Sequence, residues 1–171
     1  IQGKKVLVTG GGRGLGRSIA SCLVHEGARV AVVARTREDL DSFVNEYGDE
    51  NIGLEYDLTL EGGPAKMVSE LKDRMGLPDI LVHNVGGNLN ITDPFCSTQD
   101  WRKIYRFNLE IAVELNQLLV PHLIEQKWGR VVHITSIAAL ENQGTVPYCS
   151  MKAALTAYTR SFGRYVSPDG V

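Results

Sequence analysis

Residues Lys4–Ser18 read KKVLVTGGGRGLGRS, with five glycines between Thr9 and Gly16 directly behind a short apolar run. The residues beyond the glycines are not linker-like. Leu15, Ile19, Cys22, Leu23 and Glu26 recur at spacings of three and four, which predicts a helix over 15–27. Its apolar stripe is expected to face a sheet, with Arg17 and Ser21 turned outward and Gly27 stopping the helix. The glycines therefore occupy a strand-to-helix turn. Unpaired N–H groups and the positive end of the helix dipole make such a turn an anion site, and a missing Cβ lets a phosphate approach the main chain. The turn suits a pyrophosphate.

The same alternation continues along the chain. KKVLVT (4–9), RVAVVA (29–34), IGLEYD (52–57), DILVHN (79–84) and RVVHIT (130–135) read as strands, nearly continuous in hydrophobicity as in a parallel sheet covered on both faces. Helices are predicted over 15–27, 37–47, 61–75, 98–126 and 148–166. Strands alternating with helices imply an α/β, doubly wound parallel sheet (a Rossmann fold) with right-handed crossovers, in a single domain spanning 1–171. The final SPDGV reads as a loop leading toward a further strand, so the sheet is expected to show an open edge there.

Composition narrows the classes. With 171 residues, 43% of them hydrophobic and 22% charged, the chain has the makeup of a folded globular domain. A net charge of -2 gives no footprint for nucleic acid or an anionic membrane. No run is long enough to span a bilayer and IQGKK does not resemble a signal peptide, so the expected compartment is the cytoplasm. Cys22, Cys96 and Cys149 lack disulfide or zinc spacing and read as reduced packing thiols. The four histidines, His25, His83, His122 and His133, lack ligand spacing, and no metal is expected.

The spacing Thr9, Gly10, Gly14, Gly16 is that of the TGxxxGxG motif, and the chain resembles the short-chain dehydrogenase/reductase family. Further motifs of the family appear in order. Asp57 and Leu58 match the family's adenine contact, and HNVGG (83–87) matches its NNAG, with His83 in place of the first Asn. An imidazole at that position can still make a backbone hydrogen bond. Asn108 in RFNLEI matches the active-site Asn, Ser136 comes after the fifth strand, and Tyr148 and Lys152 in PYCSMKAAL supply YxxxK. The resemblance implies cofactor contacts from Thr9, Gly10, Gly12, Arg13, Gly14, Leu15, Gly16, Arg35, Asp57, Leu58, Asn84, Gly86, Tyr148 and Lys152. It implies catalytic roles for Asn108, Ser136, Tyr148 and Lys152.

Tyr148 and Lys152 are four residues apart, hence on one helix face, and Pro147 suits the first turn. A phenol ordinarily ionises near 10, and a neighbouring ammonium stabilises the phenolate. In the family pattern Ser136 holds the substrate oxygen, Tyr148 exchanges the proton, and Asn108 holds a water behind Lys152. The implied reaction is reversible hydride transfer between a nicotinamide and a carbonyl or secondary alcohol.

At the end of the second strand, where an acid would accept from the ribose of NAD, the chain has Ala34 followed by Arg35. With Arg13, this makes two guanidiniums without an opposing carboxylate, a pair suited to a 2′-phosphate. NADP(H) is the expected cofactor in preference to NAD(H), and reduction the expected direction.

The polar loop GNLNITDPFCS (87–97) suits a sugar or oxo-acid derivative. Overall resemblance points equally to 3-oxoacyl thioesters as substrate, as in 3-oxoacyl-acyl-carrier-protein reductases. The family sets substrate choice largely after its fifth helix, a segment not found in these 171 residues, so the chain is expected to be part of a longer protein. The alternative of a non-catalytic dinucleotide-binding or regulatory protein would sit better with loss of Ser136, Tyr148 or Lys152, all present here. The resemblance implies a homodimer or homotetramer through the helices at 98–126 and after Tyr148.

Overall fold

A computed structural model of the protein describes residues 1–141 and 143–171. Five strands, β1 (Lys5–Thr9), β2 (Arg29–Ala34), β3 (Ile52–Glu55), β4 (Ile80–His83) and β5 (Arg130–His133), form one sheet in the order β3-β2-β1-β4-β5. Every neighbouring pair is parallel, with Val8 beside both Val32 and Val82. The chain order reverses between β1 and β4. That switch point, just beyond the carboxyl end of β1, is where open parallel sheets bind ligands.

Strand side chains alternate between two cores. Val6, Val8, Val30, Val32, Ile80 and Val82 pack with Ala20 of α1 (Gly14–His25) and with Leu40 and Phe43 of α2 (Arg37–Tyr47). Leu7, Ala31, Val33, Leu54 and Leu81 face the opposite way. They pack against α3 (Gly63–Arg74) and α5 (Ile111–Glu125), while Val166 joins this core from α7 (Val146–Val166). Because both faces are covered, the inner strands carry apolar residues at every position rather than at every second one.

Three helix expectations change in detail. In α1 the face against the sheet is Gly16, Ile19, Ala20, Leu23 and Val24 rather than the stripe through Leu15, Cys22 and Glu26. Leu15 is 60% exposed and Cys22 is exposed, so Cys22 is no packing thiol. The close approach of Gly16 and Ala20 to β1 sets the helix's rotation. Arg17 does not turn outward but reaches α2, donating to Asp39 O (3.1 Å) and Glu46 Oε2 (2.6 Å).

The segment 98–126 is not one uninterrupted α-helix. α4 (Thr98–Tyr105), capped by Ser97 Oγ accepting from Asp100 N, runs into a widened π turn over Arg106–Glu110 before α5 begins. A short α6 (Ala138–Glu141) precedes α7, and Ser167–Asp169 form a 3-10 turn after it.

β5 lies at the sheet edge, and its Val132 is 44% exposed. Among the described residues no helix is long and apolar enough to cross a membrane.

Candidate active site

The glycine turn forms one wall of a groove of about 360 Å³ at the switch point. Gly10, Gly12, Arg13 and Gly14 line it from the β1 side, and Asn84, Val85 and Gly86 from the end of β4. Gly10 and Gly14 take φ values of +64° and +55°, which only glycine adopts without strain, and a Cβ on Gly14 would meet nothing within 4 Å. The Gly14 backbone is thus open to a ligand. Arg13 at the N-cap makes no side-chain cap, and the first turn of α1 holds no acidic residue. Among the described residues its first N–H groups and its dipole lack a partner, which fits a pyrophosphate.

Not every expected cofactor residue lies on the groove surface. Thr9 is 1% exposed. Its hydroxyl accepts from the N–H groups of Asn84 (3.0 Å) and Val85 (3.3 Å) and donates to Val82 O (3.4 Å), so it ties the ends of β1 and β4 together from below. Gly16 lies beneath the turn as well, where an added Cβ would sit 2.5 Å from Asn84 Nδ2. Leu15 offers the groove no side chain.

At the other end of the groove stand Val33, Ala34, Arg35, Thr36, Tyr56, Asp57, Leu58 and Thr59. Asp57 Oδ1 accepts from Thr59 N (2.9 Å) and Thr59 Oγ1 (2.6 Å). Burial pushes its carboxyl up, but those two bonds and the Arg35 guanidinium outweigh it and hold the group below the usual value. Arg35 Nη1 lies 3.9 Å from Asp57 Oδ2, and the Asp39 carboxylate also borders the groove. The expectation of guanidiniums without an opposing carboxylate is therefore corrected: the fold brings Asp57 to Arg35 from a different strand end. Arg13 and Arg35 remain exposed at the rim.

Of the expected catalytic residues, Asn108 and Lys152 meet beyond Gly86. A Cβ added there would lie 2.7 Å from Lys152 Nζ and 2.9 Å from Asn108 Oδ1. Asn108 is buried in the π turn, where its Nδ2 donates to Gly87 O (2.9 Å) and Ile104 O (3.0 Å) while its Oδ1 accepts from Gly87 N (2.9 Å). Both amide hydrogens are thus committed, and only the second lone pair of Oδ1 is available to a water.

Lys152 is buried, donates from Nζ to Ile134 O (2.8 Å), and lies 5.9 Å from the centre of the Tyr148 ring. Burial pushes its pKa down from 10.5 to about 8, so the ammonium persists at neutral pH. Ser136 Oγ accepts from Ala138 N (3.1 Å) at the start of α6. Ala138 and Tyr148 both flank Gly144, each about 3.6 Å from where its Cβ would be. α6 therefore brings the Ser136 segment alongside α7.

A profile of the short chain dehydrogenase family matches residues 4–171. The chain belongs to that family. Among short chain dehydrogenases, it is 32% identical over its whole length to a 3-oxoacyl-[acyl-carrier-protein] reductase of Aquifex aeolicus, spanning 71% of that protein. It is also 32% identical to the ketoacyl reductase HetN of a Nostoc species, spanning 61% of it. The structure of L-sorbose reductase from Gluconobacter frateurii, complexed with NADPH and L-sorbose, superposes with a TM-score of 0.91 at 28% identity. That match covers 99% of this chain and 66% of the reductase.

Behind this candidate site lies a polar cluster that no local sequence pattern assembles. The His83 ring does not bond to the backbone; its Nε2 donates to Asn116 Oδ1 (2.8 Å). Asn116 Nδ2 in turn donates to His133 Nε2 (3.2 Å) and Tyr158 Oη (3.1 Å). His133 Nδ1 then donates to Thr159 Oγ1 (3.2 Å). The residues sit on β4, β5, α5 and α7, so no local spacing could reveal them. Phe107, Ile111 and Thr36 on the groove wall were equally hidden, because they are ordinary helix and loop residues until the fold aligns them. Among the described residues, no cluster of three or more His, Cys, Asp or Glu side chains could hold a metal ion.

Proposed function

We propose that this protein is an NADP(H)-dependent oxidoreductase that interconverts a carbonyl and a secondary alcohol, with Tyr148 as general acid and base. The observation that carries this reading is the meeting of Asn108 and Lys152 at Gly86, on the inner end of a glycine-lined groove. When bound, the nicotinamide supplies or accepts the hydride; the remaining tasks fall to the chain.

Gly10, Gly12, Arg13 and Gly14, with the main-chain N–H of Leu15 at the first turn of α1, hold the pyrophosphate. Thr9 and Gly16 act from beneath by fixing the turn's position. Asp57 and Leu58 receive the adenine, Arg35 and Arg13 the 2′-phosphate, and Asn84 and Gly86 flank the nicotinamide half. Tyr148 donates its proton to the substrate oxygen in reduction and recovers it in oxidation, and Ser136 holds that oxygen. Lys152 favours the phenolate through its charge, and Asn108 holds a water with its remaining lone pair.

The NADPH complex of L-sorbose reductase and the similarity to 3-oxoacyl-[acyl-carrier-protein] reductase support NADPH and the reductive direction. They also support the two substrate classes raised by the sequence, polar sugar-like ketones and 3-oxoacyl thioesters. Residues 1–171 serve as a single dinucleotide-binding domain of a cytoplasmic homodimer or homotetramer.

The test is a parallel titration of the full-length protein with NADPH and NADH by nicotinamide fluorescence, followed by a screen of ketones and 3-oxoacyl thioesters. Preference for NADPH with turnover supports the reading. Binding without turnover moves the protein to a non-catalytic dinucleotide-binding role, and absence of binding overturns the proposal.

A further inference from the structure

Arg106 opens the π turn at the junction of α4 and α5, and its side chain is 18% exposed. Its Nε donates to Thr59 O (3.2 Å), and its Nη2 to Leu58 O (2.9 Å) and Leu60 O (3.4 Å). Its Nη1 donates to Glu114 Oε2 (2.6 Å) and Glu110 Oε2 (3.3 Å). The five N–H groups of a guanidinium thus meet five acceptors: three consecutive carbonyls of the loop after Asp57 and two carboxylates along one helical run.

Such a fork is rigid and planar, and an ammonium with three donors on a flexible stem cannot replace it. The two elements it joins both line the groove. Leu58 and Thr59 belong to the loop at the adenine end, and Phe107 and Ile111 to the helical wall.

We infer that Arg106 is a positioning residue for the cofactor: it ties the 58–60 loop to the start of α5 and sets the adenine end of the groove without touching the ligand. This role rests on the dinucleotide reading proposed for the groove. Asn108, two residues on, is held independently by Gly87 and Ile104. Loss of the fork therefore falls on cofactor binding rather than on turnover.

The experiment compares the full-length protein with its Arg106→Lys and Glu114→Gln variants. Affinity is measured for NADPH, for 2′,5′-ADP as the adenine half and for reduced nicotinamide mononucleotide as the other half, and kcat at saturating NADPH. For Arg106→Lys, weakening of NADPH and 2′,5′-ADP by the same factor, about tenfold or more, is expected. The nicotinamide half and kcat should stay within about threefold of the parent.

Glu114→Gln keeps the fork and removes the charge of one anchor, so a smaller loss of the same pattern is expected; it decides the matter should Arg106→Lys fail to fold. Unchanged 2′,5′-ADP affinity in a folded Arg106→Lys protein, or in Glu114→Gln where only that variant folds, overturns the positioning role. A loss confined to kcat or to thermal stability does so as well. Failure of the parent protein to bind either NADPH or 2′,5′-ADP overturns the dinucleotide reading, and the positioning role falls with it.

Discussion

His83 and His133 stack with ring centres 4.8 Å apart and planes 12° from parallel, each on the last position of its strand. Burial, reinforced by the facing His133 and only partly opposed by the hydrogen bond to Asn116, pushes the His83 pKa down to about 3. Burial and the Lys152 ammonium push His133 to about 4. Both imidazoles are neutral in the folded protein at physiological pH, and His83 Nδ1 is buried without a donor among the described residues.

The consequence is acid sensitivity. Below about 6.5 the unfolded chain binds protons at these histidines that the folded chain refuses, so stability falls with pH. Each imidazole contributes a slope of up to ~1.4 kcal/mol per pH unit, which ends near pH 4 for His133 and near pH 3 for His83. Urea midpoints measured from pH 7 to 4.5 should decline more gently in His83→Asn than in the parent. Parallel curves would show that His83 is not the sensor.

Gly86 faces Lys152 Nζ and Asn108 Oδ1 too closely for any side chain. Gly86→Ala should leave circular dichroism unchanged while lowering kcat/KM by about tenfold or more, because the ammonium and the amide must both give way. Activity at the parent level would mean that Lys152 does not need its present position.

Tyr148→Phe keeps the ring and removes only the hydroxyl. We expect turnover to fall by at least two orders of magnitude, the scale of a lost acid-base group, with NADPH affinity within about threefold of the parent. Surviving activity would sink the proton-transfer role.

Arg35 pairs at 3.9 Å with Asp57, so its charge is partly answered within the protein. Arg35→Glu should weaken NADPH about tenfold or more and NADH much less, since the new carboxylate would repel a 2′-phosphate and could accept from a ribose hydroxyl. Equal losses in parallel fluorescence titrations would remove Arg35 from 2′-phosphate recognition.

All five strands were legible in the sequence because each is a short, mostly apolar run, and the glycine turn was legible because its spacing is local. The rotation of α1 was not: Leu15 and Cys22 fit a helical stripe as well as Ile19 and Ala20 do, and only packing against β1 separates them. The π turn at Arg106–Glu110 was hidden as well, since its sequence RFNLE carries no breaker and its Asn108 bonds to Gly87, a partner far away in sequence.

What the sequence by itself determined is therefore whatever rests on neighbours along the chain: strand and helix identity, the glycine turn between β1 and α1, and the Tyr148–Lys152 face. The tertiary structure alone decided what depends on partners far apart in sequence. It brought Asp57 to Arg35, joined Arg106 to the 58–60 loop, and stacked His83 on His133. These contacts exist only when a parallel sheet places the ends of different strands side by side, an arrangement that no local pattern encodes.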